Sequence, residues 1–145
     1  MKSLFVSLAL LLSIVLSAQN NDIVEWTTSF DATTQTITID ADIKGKWVIY
    51  SQHTDPDGPI PLSFEFDKTK GVILDGPTQE MNKPIEEKSE MFGVTVRKFM
   101  GNVSFSQKIN EGWKPGTILN GNLTYMACDD EKCLPPETIP FEVKL

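Results

Sequence analysis

Between Ile37 and Ile43 every second residue is apolar, with Thr38, Asp40 and Asp42 separating Ile37, Ile39, Ala41 and Ile43. Successive side chains of a strand point to opposite faces, so this run fits a strand with one buried and one wetted face, and it fits no helix. The same period recurs along the chain in Val24-Trp26-Thr28-Phe30, Leu62-Phe64-Phe66, Val94-Val96, Val103-Phe105-Gln107-Ile109, Leu123-Tyr125-Ala127 and Ile139-Phe141-Val143-Leu145. Turn residues divide the runs at Asp31 to Thr34, Lys44-Gly45-Lys46, His53 to Pro59, Gly101-Asn102 and Asn110 to Gly116. Trp47-Val48-Ile49-Tyr50 is apolar on both faces, which predicts a central strand, and Gly71 precedes a short Val72-Ile73-Leu74 strand. About eight or nine short strands at this turn spacing, with no helical segment, predict an all-β immunoglobulin-like antiparallel sandwich.

From Asp75 to Glu90 the alternation stops. Pro77, Asn82, Pro84 and the charges Glu86, Glu87, Lys88 and Glu90 predict a loop. A loop that long is uncommon in a compact domain and suggests a role of its own. It ends in two large apolar residues, Met91 and Phe92, followed by Gly93.

The first eighteen residues read as a secretory signal peptide. Lys2 gives a positive start, Leu4 to Leu16 is apolar apart from Ser7 and Ser13, and Ser17-Ala18 supplies small residues before a polar stretch. Cleavage after Ala18 leaves residues 19–145 as one domain, which enters no membrane. The formal net charge of −7 becomes one unit more negative once Lys2 is removed. That balance argues against nucleic acid and anionic membrane surfaces. Export also allows a nearby cysteine pair to be oxidised.

The only two cysteines, Cys128 and Cys133, stand four residues apart where two predicted strands meet. Pro135 and Pro136 follow them, fix their own φ and hold Leu134 extended. Three readings are open for this pair. A structural staple across six residues would contribute roughly 2.2 kcal/mol, modest for a domain that builds its own core. A redox-active pair is the second. Metal binding is the third and weakest, since zinc takes four ligands and His53 is the one other soft donor. Asp129, Asp130 and Glu131 disfavour a thiolate on Cys128, whereas Lys132 favours one on Cys133. If a sulfur exchanges with a partner, Cys133 is the nucleophile and Cys128 the resolving thiol.

Trp47-Val48-Ile49-Tyr50-Ser51-Gln52, Gly58-Pro59-Ile60-Pro61, Glu90-Met91-Phe92-Gly93 and Tyr125 to Thr138, with its cysteine pair followed by Pro-Pro-Glu-Thr, occur in the order found in one family. The chain resembles the N-terminal periplasmic domain of DsbD, a bacterial thiol:disulfide interchange protein. The resemblance implies an immunoglobulin-like fold and a periplasmic oxidoreductase of the protein-disulfide reductase type. Cys128 and Cys133 are then the catalytic disulfide, with no cofactor and no metal. It also implies thioredoxin-like partners, among them disulfide isomerases and cytochrome c maturation thioredoxins, and electrons drawn from a membrane transporter encoded separately. In register with the family's cap loop lie Glu90, Met91, Phe92 and Gly93, expected to form a lid on the disulfide. The competing expectation is a non-enzymatic immunoglobulin-like binding module with a hairpin staple.

Overall fold

A computed structural model describes residues 23–145, so the signal-peptide expectation lies outside the described residues. Among the described residues eleven strands appear in chain order. They are β1 (Val24–Asp31), β2 (Thr36–Ile43), β3 (Val48–Tyr50), β4 (Ser63–Phe66), β5 (Leu74–Glu80), β6 (Ile85–Lys88), β7 (Thr95–Phe99), β8 (Gly101–Ile109), β9 (Ile118–Tyr125), β10 (Ala127–Cys128) and β11 (Glu137–Lys144). Three antiparallel sheets result, ordered β1-β2-β8-β5, β10-β3-β7-β6 and β11-β9-β4. The sandwich is immunoglobulin-like, as the alternation predicts.

In β2 every second residue is buried, with Ile37 and Ile39 fully enclosed. The inward faces of β2 and β8 meet those of β9 and β11 in one core containing Phe105, Leu119, Leu123 and Val143. Phe105 is its hub. Its ring lies 5.2 Å from Phe64, 5.9 Å from Phe99 and 6.1 Å from Trp26, each in a tilted or edge-on pose that suits aromatic quadrupoles. Gly121 sits where β9 passes under Phe141, and a Cβ there would collide with the Phe141 ring.

Two nearly continuous stretches of chain change sheets, and both changes bear on the cysteines. Phe99 pairs with Ile49 of β3 while Gly101 pairs with Ile43 of β2, so the chain switches layers at Met100. Gly101 permits the bend with φ +66°. It is a sheet crossing and not the strand-ending turn that Gly101-Asn102 suggests. Likewise Tyr125 pairs with Glu137 of β11, whereas Ala127 pairs with Ile49 of β3.

The segment read as a loop from Asp75 to Glu90 is largely strand. Leu74 to Glu80 is β5, paired with β8, and Ile85 to Lys88 is β6, paired with β7. Each lies at a sheet edge and is mostly exposed, so neither needs an apolar face. Prolines and charges belong on such edges, where they discourage pairing with other chains. A register shift between Asp75 and Gln79 accommodates Gly76 and Pro77. Buried Gln107 braces that bulge, accepting from Thr78 Oγ1 at 2.8 Å and donating to the Gly76 carbonyl at 3.0 Å. The short strand expected at Val72 to Leu74 starts only at Leu74, where this edge pairing begins.

Candidate functional site

The site is built on β3, whose three residues are all buried. β3 lies between β10 and β7, the interior position its apolar sequence predicts. Ile49 points into the main core, while Val48 and Tyr50 face the other way, into a small cluster with Val96 and Cys128. Glu80 fixes the end of β3 from the facing sheet. Its carboxylate accepts from Ser51 Oγ at 2.8 Å and from the Gln52 N–H at 2.7 Å.

Pairing of Cys128 with Val48 places the first cysteine beside this cluster. The chain then reverses as a miniature hairpin. The Asp129 N–H donates to the Lys132 carbonyl at 2.8 Å, and the Leu134 N–H donates to the Ala127 carbonyl at 2.9 Å. Between those two bonds Cys128 and Cys133 face each other as a non-hydrogen-bonded pair, the position at which cross-strand side chains come closest. Their Cα atoms are 4.0 Å apart and their sulfurs are joined in a disulfide. Asp129 Oδ1 accepts from the N–H groups of Glu131 and Lys132, both at 2.9 Å. Those two bonds, Glu131 first, hold its carboxyl below the usual aspartate range, with Lys46 and Lys132 adding to the effect.

The two sulfurs are not equivalent. Cys128 is 2% exposed, whereas Cys133 is half-buried. Burial thus adds a steric asymmetry to the charge asymmetry read from the sequence.

Glu90, Met91, Phe92 and Gly93 form the tip of the β6–β7 hairpin. The tip is closed by the Ser89 N–H to the Val94 carbonyl at 2.9 Å and the Gly93 N–H to the Ser89 carbonyl at 2.8 Å. Gly93 adopts φ +73°, a conformation that costs glycine nothing. Two ion pairs, Arg97–Glu86 and Lys98–Glu87, join the arms of the hairpin. Met91 reaches over the disulfide, its Sδ 3.5 Å from Cys133 Sγ. Phe92 turns inward and packs edge-on against Tyr50, ring centroids 6.1 Å apart, within the cluster that holds Cys128. Glu90 lines a cleft of about 400 Å³ between this tip and the cysteine hairpin, together with Lys46, Tyr50, Glu87, Lys98 and Asp130.

Four of the residues singled out in the sequence therefore meet: Cys128, Cys133, Met91 and Phe92. Gly93 shapes the turn and Glu90 stands at the cleft rim. His53 lies apart, beside Thr54, Asp55, Pro56, Thr95 and Arg97. Tyr50, Val48 and Val96 escaped the sequence reading as site residues. The signal was present in β3, where apolar residues on both faces imply a second cover besides the main core. Burial, with Glu87 nearby, raises the Tyr50 phenol above its ordinary value. Tyr125 beneath the hairpin is also raised, by burial and by Glu137, whose carboxylate accepts from its hydroxyl at 3.0 Å.

An immunoglobulin-like sandwich with a disulfide at the end of one sheet, one sulfur shielded and the other under a hairpin tip, defines a thiol:disulfide exchange type of domain. The chain belongs to the family described as thiol:disulfide interchange protein DsbD, N-terminal, whose model matches residues 19–145. It is accordingly a periplasmic redox domain with a disulfide-forming cysteine pair. Among the described residues no helix is long and apolar enough to cross a membrane. No curated protein matches the chain in sequence.

Solved structures share the fold. The reduced N-terminal domain of DsbD from Neisseria meningitidis is 17% identical with a TM-score of 0.56, over 77% of this chain and 78% of that chain. The Neisseria meningitidis complex of the DsbD and PilB N-terminal domains gives 13% and 0.60, over 86% and 84%. The N-terminal periplasmic domain of ScsB from Proteus mirabilis gives 15% and 0.60, over 89% of this chain but 49% of that one, so this chain spans about half its length.

Proposed function

We propose that this domain carries reducing equivalents between a thioredoxin-like donor and periplasmic oxidoreductases, with Cys133 as the exchanging sulfur, Cys128 as the resolving one and the Glu90–Gly93 tip as a lid. In the charging direction a donor thiolate attacks Cys133 Sγ. The Cys133–Cys128 bond breaks and Cys128 leaves as a thiolate that takes up a proton. The donor's second thiol then attacks its own sulfur in the mixed disulfide and releases Cys133 as a thiol. Discharge runs in reverse: the Cys133 thiolate attacks an acceptor disulfide, and Cys128 then attacks Cys133 Sγ to expel the reduced acceptor. Two electrons and two protons move in each cycle, and no cofactor is involved.

The observation that carries this reading is the pairing of a 2% exposed Cys128 with a half-buried Cys133 that is touched by a lid residue. A partner approaching from solvent meets Cys133 once Met91 moves. The staple reading has less support, because two backbone bonds and the Asp129 cap already hold the hairpin on which the disulfide lies. Support for a redox-active protein partner comes from the relative solved in complex with the PilB N-terminal domain.

The test is trapping. Cys128→Ala should accumulate a mixed disulfide through Cys133 with a thioredoxin-like protein whose single active-site cysteine is activated as a thionitrobenzoate disulfide, thionitrobenzoate leaving, while Cys133→Ala should accumulate little. Equal trapping by both variants would refute the assignment of roles. A reduction potential below about −300 mV would return the bond to the structural class.

A further inference from the structure

Three methionines of the described chain stand in the open: Met81, Met91 and Met100 are 61%, 54% and 47% exposed. Their surroundings differ. Met81 Sδ accepts a hydrogen bond from Ser106 on β8, in the sheet away from the cysteines. Met91 Sδ instead lies 3.5 Å from Cys133 Sγ and forms the outer part of the cover on the redox pair. A thioether packs on another sulfur as a soft, polarisable, apolar group. It is also the side chain that two-electron oxidants most readily convert into a polar one.

We propose that Met91 is an oxidation site whose sulfoxide unlatches the lid, so that hydroperoxides make the disulfide more reactive toward thiols. The inference rests on the lid reading above and adds its regulation. In the modification step the Sδ lone pair attacks the distal oxygen of the hydroperoxide and the O–O bond breaks. That oxygen remains on Sδ as the sulfoxide. The other leaves as an alcohol, or as water from hydrogen peroxide, with the proton shed by the transferred oxygen. Sulfur gives up two electrons and the peroxide receives them.

The consequence follows from where Met91 sits. Met91 is more than half exposed while its Sδ touches Cys133, so an oxidant reaches it from solvent. The sulfoxide dipole favours hydration and opposes continued packing on the disulfide. Phe92 still holds Tyr50, so the lid loosens without detaching. Oxidative conditions would then open the pair to its donor, and reduction of the sulfoxide would restore the cover.

The experiment uses the oxidised domain, in which both cysteines are already in the disulfide and do not compete for peroxide. Met81 and Met100 are changed to Leu to remove the other exposed thioethers. The protein is treated with hydrogen peroxide, and peptide mapping locates the added oxygen. The rate of disulfide reduction by excess glutathione is then measured. Peroxide should raise that rate severalfold, and Met91→Leu in the same background should abolish the response. The inference is overturned if Met91 takes up no oxygen, if its sulfoxide leaves the rate unchanged, or if the Leu variant responds as well. Met91→Ala and Phe92→Ala, measured alongside, separate the two levels. If they accelerate reduction and the sulfoxide does not, the lid stands and the switch fails. If neither accelerates it, the lid reading itself fails.

Discussion

If the Glu90–Gly93 tip acts as the proposed lid, Phe92→Ala removes its inner latch, and the structure sets the size of the effect. The Phe92 ring meets Tyr50 edge-on, with centroids 6.1 Å apart and an interplanar angle of 85°. Such a pair contributes ~0.5–1.5 kcal/mol beyond its area. Phe92 is half-buried against the cluster around Val48, Val96 and Cys128, which adds about half of the ~1.5–3 kcal/mol for full burial of a large apolar side chain. Part of that burial survives if the shortened tip settles inward, so the closed lid should lose about 1–2 kcal/mol. That corresponds to a rise of roughly fivefold to thirtyfold in the open fraction. The assay is pseudo-first-order reduction of the disulfide by excess glutathione, followed by thiol labelling, with circular dichroism to confirm folding. Tyr50→Ala should give a similar rise, and the double variant should exceed neither single one by the full factor, because both remove the same contact. A folded Phe92→Ala protein reduced at the wild-type rate would refute the reasoning, as would full additivity in the double variant.

Reduction of the disulfide should leave the domain folded. Closing a six-residue loop is worth roughly 2.2 kcal/mol, below the ~5–15 kcal/mol of a typical domain, so a cooperative thermal transition should persist at a lower midpoint, and unfolding at room temperature would restore the staple reading. The two tyrosines of the chain should titrate late. Burial first, then Glu87 for Tyr50 and Glu137 for Tyr125, raise both above the ordinary value of 10.0. Their stabilising contribution is therefore complete below that pH and is lost as pH rises through the folded-state values. Ultraviolet absorption should show little phenolate at pH 10, and half-ionisation there would contradict the burial.

Alternation located the strands that carry a buried face. β2 shows the cleanest pattern, and its burial follows the sequence residue by residue. The reading missed edges, which have no buried face to write into the sequence. β6 is exposed at all four positions, and Ile85-Glu86-Glu87-Lys88 looks like a loop to any rule based on burial. What makes it a strand is pairing with β7, a long-range fact. Gly101 is ambiguous for a related reason, since a positive φ permits a reversal or a change of sheet, and only the neighbours β2 and β3 decide between them. At the site, the spacing of the cysteines and the Met91-Phe92 pair were legible. Tyr50 was not, because its alternation partner Val48 reads equally well as core. The cluster that joins them to Cys128 assembles from β3, β7 and β10.

On the proposed lid reading, those two faces of β3 would let the redox site open without threatening the fold. Ile49 belongs to the main core with Phe105 and Leu123, while Val48 and Tyr50 belong to a separate cluster whose roof is the hairpin tip. Lifting the tip exposes the second cluster and leaves the first untouched. Opening then costs the contacts of Phe92 and Met91, about 1–3 kcal/mol for Phe92 alone, and spares the main core. The same step would uncover Tyr50 and the side of the Val48–Cys128 cluster that Phe92 packs on, an apolar surface beside the disulfide. A small thiol that reaches Cys133 cannot cover that surface, whereas a protein partner can, and its burial offsets the loss of the lid contacts. On the lid reading, selectivity for protein partners then needs no pocket shaped for a substrate. It follows from placing the disulfide at the edge of an apolar patch that is covered either by the domain's own hairpin or by its partner.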